Sequence, residues 1–256
     1  MLSLLQIEGL THFFGGLKAV SDFNLELSGG EVVGLIGPNG AGKTTVFNLI
    51  TGVYKPSAGQ IRFEGQELVG LQSCQIISMG IARTFQTIRL FRDLTVLDNV
   101  RLGHFSQARY GIRDALIRSG NFRDEEKRIK DKALELLEAF NLTRYAYVQA
   151  KALPYGEQRR LEIARALSSN PKLLLLDEPA AGMNPREIDE LLERIAWLKD
   201  EFDLTIFLIE HQMRVVMGIC ERITVLDFGE TIAVGAPREI QTHPRVLEAY
   251  LGKEVS

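Results

Sequence analysis

The sequence predicts an α/β fold with parallel strands at its centre and an inserted helical stretch. Three observations carry that reading. A glycine-rich turn, Gly37-Pro38-Asn39-Gly40-Ala41-Gly42-Lys43-Thr44-Thr45, follows the apolar run Val32-Val33-Gly34-Leu35-Ile36 and leads into Val46-Phe47-Asn48-Leu49-Ile50, a succession of strand, turn and helix. Leu173-Leu174-Leu175-Leu176 is apolar without alternation, the pattern of a central parallel strand covered on both faces. Between them, from about residue 94 to 140, strand signals vanish and apolar residues fall at helical spacing, at Ile129, Ala133, Leu136, Leu137 and Phe140.

Composition narrows the function classes. At 256 residues, with 45% hydrophobic and 25% charged, the chain has the make-up of an ordinary globular protein with room for a large core. A net charge of −3 argues against a general nucleic-acid binder, which would carry a basic excess. Cys74 and Cys220 fit no metal-ligand spacing, and a pair is too few for a disulfide framework, which points to a reducing compartment. No apolar stretch approaches the ~20 residues that span a bilayer. The first residues, Met1 to Glu8, lack a positive n-region, so neither a transmembrane segment nor a signal peptide is expected.

Along the chain, residues 4–10 and 23–27 alternate as strands leading up to the glycine-rich turn. Between them, Phe13 and Phe14 fit either burial in a core or stacking on a nucleotide base. Residues 51–59 form a turn-rich connection, 60–65 a strand, 73–80 a short helix, and 81–86 a strand ending at Gln86. In the helical stretch, Arg101, Arg109, Arg113, Arg118, Arg123, Lys127, Arg128, Lys130 and Lys132 interleave with Asp114, Asp124, Glu125, Glu126 and Asp131. That alternation reads as a solvated helix face rather than a lipid-headgroup patch. An amphipathic helix is expected over about 185–199 and an apolar strand over 204–209, ending at Glu210-His211-Gln212. A hairpin is expected where 223–227 and 231–234 flank Phe228-Gly229-Glu230.

The glycine-rich turn has the pattern G-x-x-x-x-G-K-T in the setting a phosphate loop requires. Glycines at 37, 40 and 42 let the backbone curl around phosphates at a helix N-terminus, where an anion is already favoured. Lys43 would reach the β- and γ-phosphates and the Thr44 hydroxyl would hold Mg²⁺. Asp177, at the end of the leucine strand, is a hard oxygen donor of the kind Mg²⁺ prefers. Glu178 beside it can polarise an attacking water as general base. Parallel strands present their C-terminal ends to one crevice, so His211 and Gln86 would face the same γ-phosphate, although a lone histidine is as often structural. His12, His104 and His243 have no comparable setting and read as surface or packing residues. Residues 153–167 form a helix with Pro154 in its first turn and Leu161, Ala164 and Leu167 on its apolar face. Its N-terminus favours an anion, and the spacing does not say whose phosphate it faces.

Taken together, these residues resemble the ATP-binding subunits of ABC transporters, over essentially the whole chain. Gly37 to Thr44 resembles the Walker A loop, and Gln86 the Q-loop glutamine. Leu153, Pro154, Tyr155, Gly156, Glu157 and Gln158 resemble the signature motif. Leu173 to Glu178 is similar to Walker B with its catalytic glutamate, Ala181 to Asn184 to the D-loop, and His211 to the switch histidine; Phe14 matches the aromatic that stacks on adenine. The runs 80–86, 89–96 and 177–185, the helical insertion and the ending Ala249-Tyr250-Leu251-Gly252 resemble a narrower group, the cassettes of bacterial branched-chain amino-acid importers.

The resemblance implies a P-loop NTPase (RecA-like) cassette with an antiparallel β subdomain and an inserted α-helical subdomain. On that pattern 1–256 is a single domain, with a core over 1–91 and 160–236, a helical subdomain carrying the signature over 92–159, and a helical tail over 237–256. It implies ATP contacts along residues 37–45, Mg²⁺ held by Thr44, Gln86 and Asp177, and Glu178, His211, Gln86 and Lys43 as the catalytic set. It further implies a second, related cassette whose signature completes the site, two membrane permease subunits, a periplasmic amino-acid binding protein, and a peripheral place on the cytoplasmic face of the bacterial inner membrane. Three residues depart from the family pattern: Pro154 replaces the signature serine, Tyr155 its first glycine, and Asn184 the D-loop carboxylate. Two other readings are a soluble ABC ATPase of DNA repair or translation, against which the lack of a second cassette, a coiled-coil insertion and a basic surface speaks, and a regulatory cassette that binds ATP without turnover, against which Lys43, Glu178 and His211 speak.

Overall fold

Apolar runs too continuous to lie on a surface decide the centre of the fold. In the computed structural model, which describes residues 3–105, 114 and 119–251, every residue of Val32–Ile36, Leu173–Asp177 and Thr205–Ile209 is buried. In chain order the elements are β1 (Leu5–Phe14), β2 (Leu17–Leu27), β3 (Val32–Ile36), α1 (Lys43–Ile50), β4 (Ala58–Phe63), β5 (Gln66–Glu67), α2 (Ser73–Ser78) and β6 (Ile81–Arg83). There follow α3 (Val96–His104), α4 (Gly120–Ala139), α5 (Tyr155–Leu167), β7 (Leu173–Asp177), α6 (Pro185–Phe202), β8 (Thr205–Ile209) and α7 (Met213–Ile219). The chain continues through β9 (Arg222–Asp227), β10 (Glu230–Gly235), α8 (Pro237–Gln241) and α9 (Pro244–Leu251). Arg109, Arg113, Arg118, Gly252, the rest of the tail to 256 and the first two residues lie outside the described residues.

The chain divides into two compact units, one of Met1–Ile76 with Lys172–Ser256, the other of Ile77–Pro171, a wider span than the 92–159 read as the insertion. In the first unit an antiparallel sheet has the order β2-β1-β4-β5. The strands expected over 4–10 and 23–27 both run further, through the aromatic stretch, so that Phe14 pairs with Leu17 across a tight hairpin. The remaining strands of this unit lie in the order β10-β9-β3-β8-β7, parallel throughout except for the antiparallel β9–β10 hairpin. Phe47 of α1 meets Phe207 of β8 with ring centroids 5.1 Å apart, which seats the helix on the sheet. α6 buries Ile188, Leu191, Ile195 and Leu198, a stripe at helical spacing, and runs past the expected end near 199 before Asp203 closes it in the left-handed conformation, φ 49°.

The second unit holds β6 and the helices α3, α4 and α5. α4 turns Ile129, Ala133 and Leu137 inward and is capped by the Ser119 hydroxyl, which accepts from the Phe122 N–H. Its charges pair: half-buried Arg128 with the buried Glu125, and Arg101 of α3 with Glu126. α3 is capped by Thr95, which accepts from the Asp98 N–H at 3.0 Å. β6 stops at Arg83, shorter than the strand expected to 86, so Gln86 lies on the loop beyond it.

Gly103 of α3 fits because it lacks a side chain: a Cβ there would sit 1.8 Å from Ser168 Oγ and 2.5 Å from the Arg165 carbonyl oxygen. Gly103→Ala is expected to destabilise the protein by about 1–3 kcal/mol. Gly120→Ala, where a Cβ meets nothing within 4 Å, should change stability by no more than about 0.5 kcal/mol. Denaturant melts of the two variants check the contrast.

Candidate functional site

Residues 37–45 join β3 to α1 under tight steric control. A Cβ at Gly37 would stand 2.0 Å from the Leu226 carbonyl oxygen of β9, and one at Gly42 2.4 Å from the Ala19 carbonyl oxygen of β2. Gly40, at φ +81°, has nothing within 4 Å of such an atom, so its glycine serves conformation alone. The tip of the β9–β10 hairpin ties the loop down: Gly229 N–H donates to the Ala41 carbonyl at 3.0 Å, and its own carbonyl accepts from Ser21 N–H at 2.8 Å. α1 then starts with no acidic residue in its first turn, leaving the N–H groups of Lys43, Thr44 and Thr45 without intrahelical acceptors. That is an anion site. Lys43 Nζ is folded back on the loop, donating to the carbonyls of Gly37 at 2.7 Å and Pro38 at 2.8 Å. Burial pushes its ammonium pKa down, against the opposing pull of Glu178 and Asp177.

Those two carboxylates come from the end of β7. Asp177, buried, pairs in register with Ile209 of β8, and Glu178 N–H donates to the Ile209 carbonyl at 2.9 Å. Glu178 leaves the strand at φ 47°, and its Oε1 lies 3.8 Å from His211 Nδ1, beyond direct hydrogen-bond reach. One face of the first unit therefore brings together Lys43, Asp177, Glu178 and His211. Asn184 sits just downstream as the N-cap of α6. Its side chain accepts from the N–H groups of Arg186 at 3.0 Å and Glu187 at 3.1 Å, and Glu187 returns a bond to its N–H. Asparagine caps as well as aspartate does, so the departure at 184 preserves the helix start.

Of the two readings for the aromatics, the structure excludes full burial: Phe13 and Phe14 are each 42% exposed. Phe14 stands edge-on to His12, at 4.7 Å, and to Tyr54, at 5.3 Å, while His12 and Tyr54 stack at 5.6 Å. His12 is thus a packing residue, as expected from its setting.

The second unit carries Gln86 and residues 153–158. Pro154 is the N-cap of α5, with φ −54° and ψ 154°, one position outside the first turn expected for it, and it offers no side-chain cap. A proline at that place has no N–H to donate, and the extended ψ keeps it out of the helix. Gln158 Nε2 donates to the Leu153 carbonyl at 2.8 Å, and the Tyr155 ring is exposed. Next to Gln86, Phe85 is held firmly. Arg159 donates to its carbonyl at 2.7 Å, and Glu162, paired with Arg159 at 2.7 Å in the interior, accepts from the N–H groups of Phe85 and Arg89. The buried Arg159–Glu162 pair thus joins the loop of Gln86 to the helix of 153–158 within this unit. Sequence reading passed over it, though two opposite charges three apart among Leu161, Ile163 and Ala164 carry the mark of an inward pair.

A loop of anion-binding N–H groups, a lysine, two strand-end carboxylates and a histidine together suit phosphoryl chemistry on a nucleotide. Comparison with known proteins agrees. The ABC transporter family profile matches residues 20–181, and that of the branched-chain amino acid ATP-binding cassette transporters matches residues 230–256. The chain is 49% identical to the high-affinity branched-chain amino acid transport ATP-binding protein LivG of Escherichia coli and 45% identical to BraF of Pseudomonas aeruginosa, covering 98% of each chain in both cases. Among solved structures, the ADP conformation of MJ1267, an ATP-binding cassette of an ABC transporter, superposes with TM-score 0.85 at 30% identity, over 99% of this chain and 100% of that one. A dimeric post-hydrolysis cassette, MJ0796 bound to ADP and phosphate, gives TM-score 0.76 at 27% identity, over 91% and 99%. The chain belongs to the ABC transporter family, as one of its ATP-hydrolysing cassettes.

Proposed function

We propose that this cassette binds and hydrolyses ATP to power the import of branched-chain amino acids, leucine, isoleucine and valine, across the bacterial inner membrane. The observation that carries the catalytic part is the meeting of Lys43, Glu178 and His211 beside the loop 37–45. The cargo rests on the relatives, whose names specify branched-chain amino-acid transport at 49% and 45% identity over nearly full length.

In this reading the N–H groups of residues 39–45 and Lys43 hold the β- and γ-phosphates, and the Phe14 ring, half exposed beside Tyr54, stacks on adenine. Lys43 exchanges its two loop carbonyls for phosphate oxygens when nucleotide enters. The Thr44 hydroxyl, exposed on the first turn of α1, and the buried Asp177 carboxylate are hard oxygen donors that fit Mg²⁺, which when bound would neutralise phosphate charge. Glu178 takes the proton of the attacking water, and His211, 3.8 Å away, steadies the developing charge on the γ-phosphate.

The partners follow from the same reading: a second, related cassette that closes over the bound ATP with its signature, two permease subunits, and a periplasmic binding protein that delivers the amino acid. No helix among the described residues is long and apolar enough to cross a membrane, which suits a peripheral subunit on the cytoplasmic face. The MJ0796 dimer, holding ADP and phosphate, supports a two-cassette arrangement. Pro154, which lacks both hydroxyl and N–H, supplies the partner's nucleotide with fewer donors than a serine would, so the two sites of the dimer are unequal.

Glu178→Gln should retain ATP binding and lose turnover by about 10²–10⁴-fold in the assembled transporter; unchanged turnover in a coupled phosphate-release assay would return the protein to a non-hydrolysing role. Pro154→Ser should alter turnover differently from a substitution in the partner's signature. Equal effects in the same assay would remove the inequality of the sites.

A further inference from the structure

Glu210 is fully buried at the end of β8, among the carboxylates and histidine of the site, yet the chemistry above leaves it unused. It makes no ion pair among the described residues; its acceptors are filled by backbone alone. Oε1 accepts from the Ala180 N–H at 2.8 Å, two residues past Glu178. Oε2 accepts from the N–H groups of His211 at 3.0 Å and Gln212 at 3.2 Å. Gln212 closes the figure, its Nε2 donating to the Ala180 carbonyl at 2.8 Å. With Glu178 N–H on the Ile209 carbonyl at 2.9 Å, the backbone on either side of the two reactive side chains is bound at both ends. A buried carboxylate without a cation is costly unless its oxygens are well supplied with donors, and here the donors belong to the two loops that carry Glu178 and His211.

We propose that Glu210, with Gln212, is a positioning residue for hydrolysis: it clasps the loop after β7 to the loop after β8 and so fixes the distance and facing of Glu178 and His211. The clasp touches neither phosphate nor metal donor and acts only through the backbone that bears those two residues. It rests on the reading of Glu178 as the hydrolytic base. An amide in place of the carboxylate cannot serve it, because Gln offers one acceptor oxygen, and whichever way it turns its NH₂ faces a backbone N–H. The outcome is two loops still folded on the sheet but held to each other only by the Gln212–Ala180 and Glu178–Ile209 bonds, which leaves nucleotide grip on the loop 37–45 intact.

The test is a KM-against-kcat comparison on the assembled transporter, with binding of a non-hydrolysable ATP analogue measured alongside. Glu210→Gln should lower kcat by about tenfold or more while KM for ATP and analogue affinity stay within about threefold of the parent. An unchanged kcat, or a KM and analogue affinity that worsen in step with kcat, overturns the proposal. Glu178→Gln is carried through the same assay: if it abolishes turnover while Glu210→Gln does not, only the clasp fails. If Glu178→Gln keeps its turnover, the underlying reading fails and takes the clasp with it. Should Glu210→Gln not yield folded protein, Gln212→Ala decides, since it removes only the bond to Ala180. A fall in kcat of about threefold at constant KM supports the clasp, and an unaltered kcat overturns it.

Discussion

The phosphate loop is held by two backbone contacts that no side chain could survive. Gly37 lies against the Leu226 carbonyl and Gly42 against the Ala19 carbonyl, so the loop is wedged between β2 of one sheet and the end of β9 in the other. The bond from Gly229 to Ala41 locks the third side. A helix N-terminus binds anions wherever it points; here the wedge decides where, and thereby where Lys43 and the first turn of α1 must stand. The C-terminal helix reinforces this place. Arg245, Glu248 and Ala249 of α9 line one cavity with Pro38, Asn39, Gly40 and Ala41, so α9 lies beside the loop.

Given that seat, the rest of the candidate site on this unit follows from strand register. β7 and β8 are parallel and wholly buried, with Asp177 opposite Ile209, so Glu178 and His211 emerge next to each other at the same edge. The two carboxylates offset the burial cost of Lys43, which would otherwise favour loss of its charge. Lys43 in turn is parked on two loop carbonyls, a pair of acceptors that phosphate oxygens can replace. In the other unit, the Arg159–Glu162 pair performs a comparable task, joining the backbone beside Gln86 to the helix that begins at Pro154.

Periodicity and motif made much of this legible in advance. The leucine run at 173–176 announced a doubly covered strand, and the glycine pattern at 37–42 announced the loop, because both signals are local. What escaped was made by residues remote in sequence. Ala19, Leu226 and Gly229 are unremarkable in the sequence, and their importance lies in carbonyl and N–H groups that every residue carries. Glu210 reads as a polar end to an apolar strand; only the fold reveals that three N–H groups converge on it. The sequence reading places Pro154 inside the first turn of its helix, and it stands one residue before that turn with no side-chain cap, a difference within the usual one- or two-residue uncertainty of helix ends. Asn184 departs from the family pattern and yet caps its helix fully, because what the backbone needs there is a side-chain oxygen, not a charge.

Every later feature of the site depends on the wedge that seats the loop. Its most direct measurement is the calorimetric ATP affinity of Gly37→Ala, beside a thermal melt of the same protein. A methyl group 2.0 Å from the Leu226 carbonyl oxygen must displace the loop. Affinity should therefore fall by about 5- to 150-fold, on the scale at which overpacking costs about 1–3 kcal/mol, while the sheet still melts cooperatively. Parental affinity in a folded Gly37→Ala protein would contradict it.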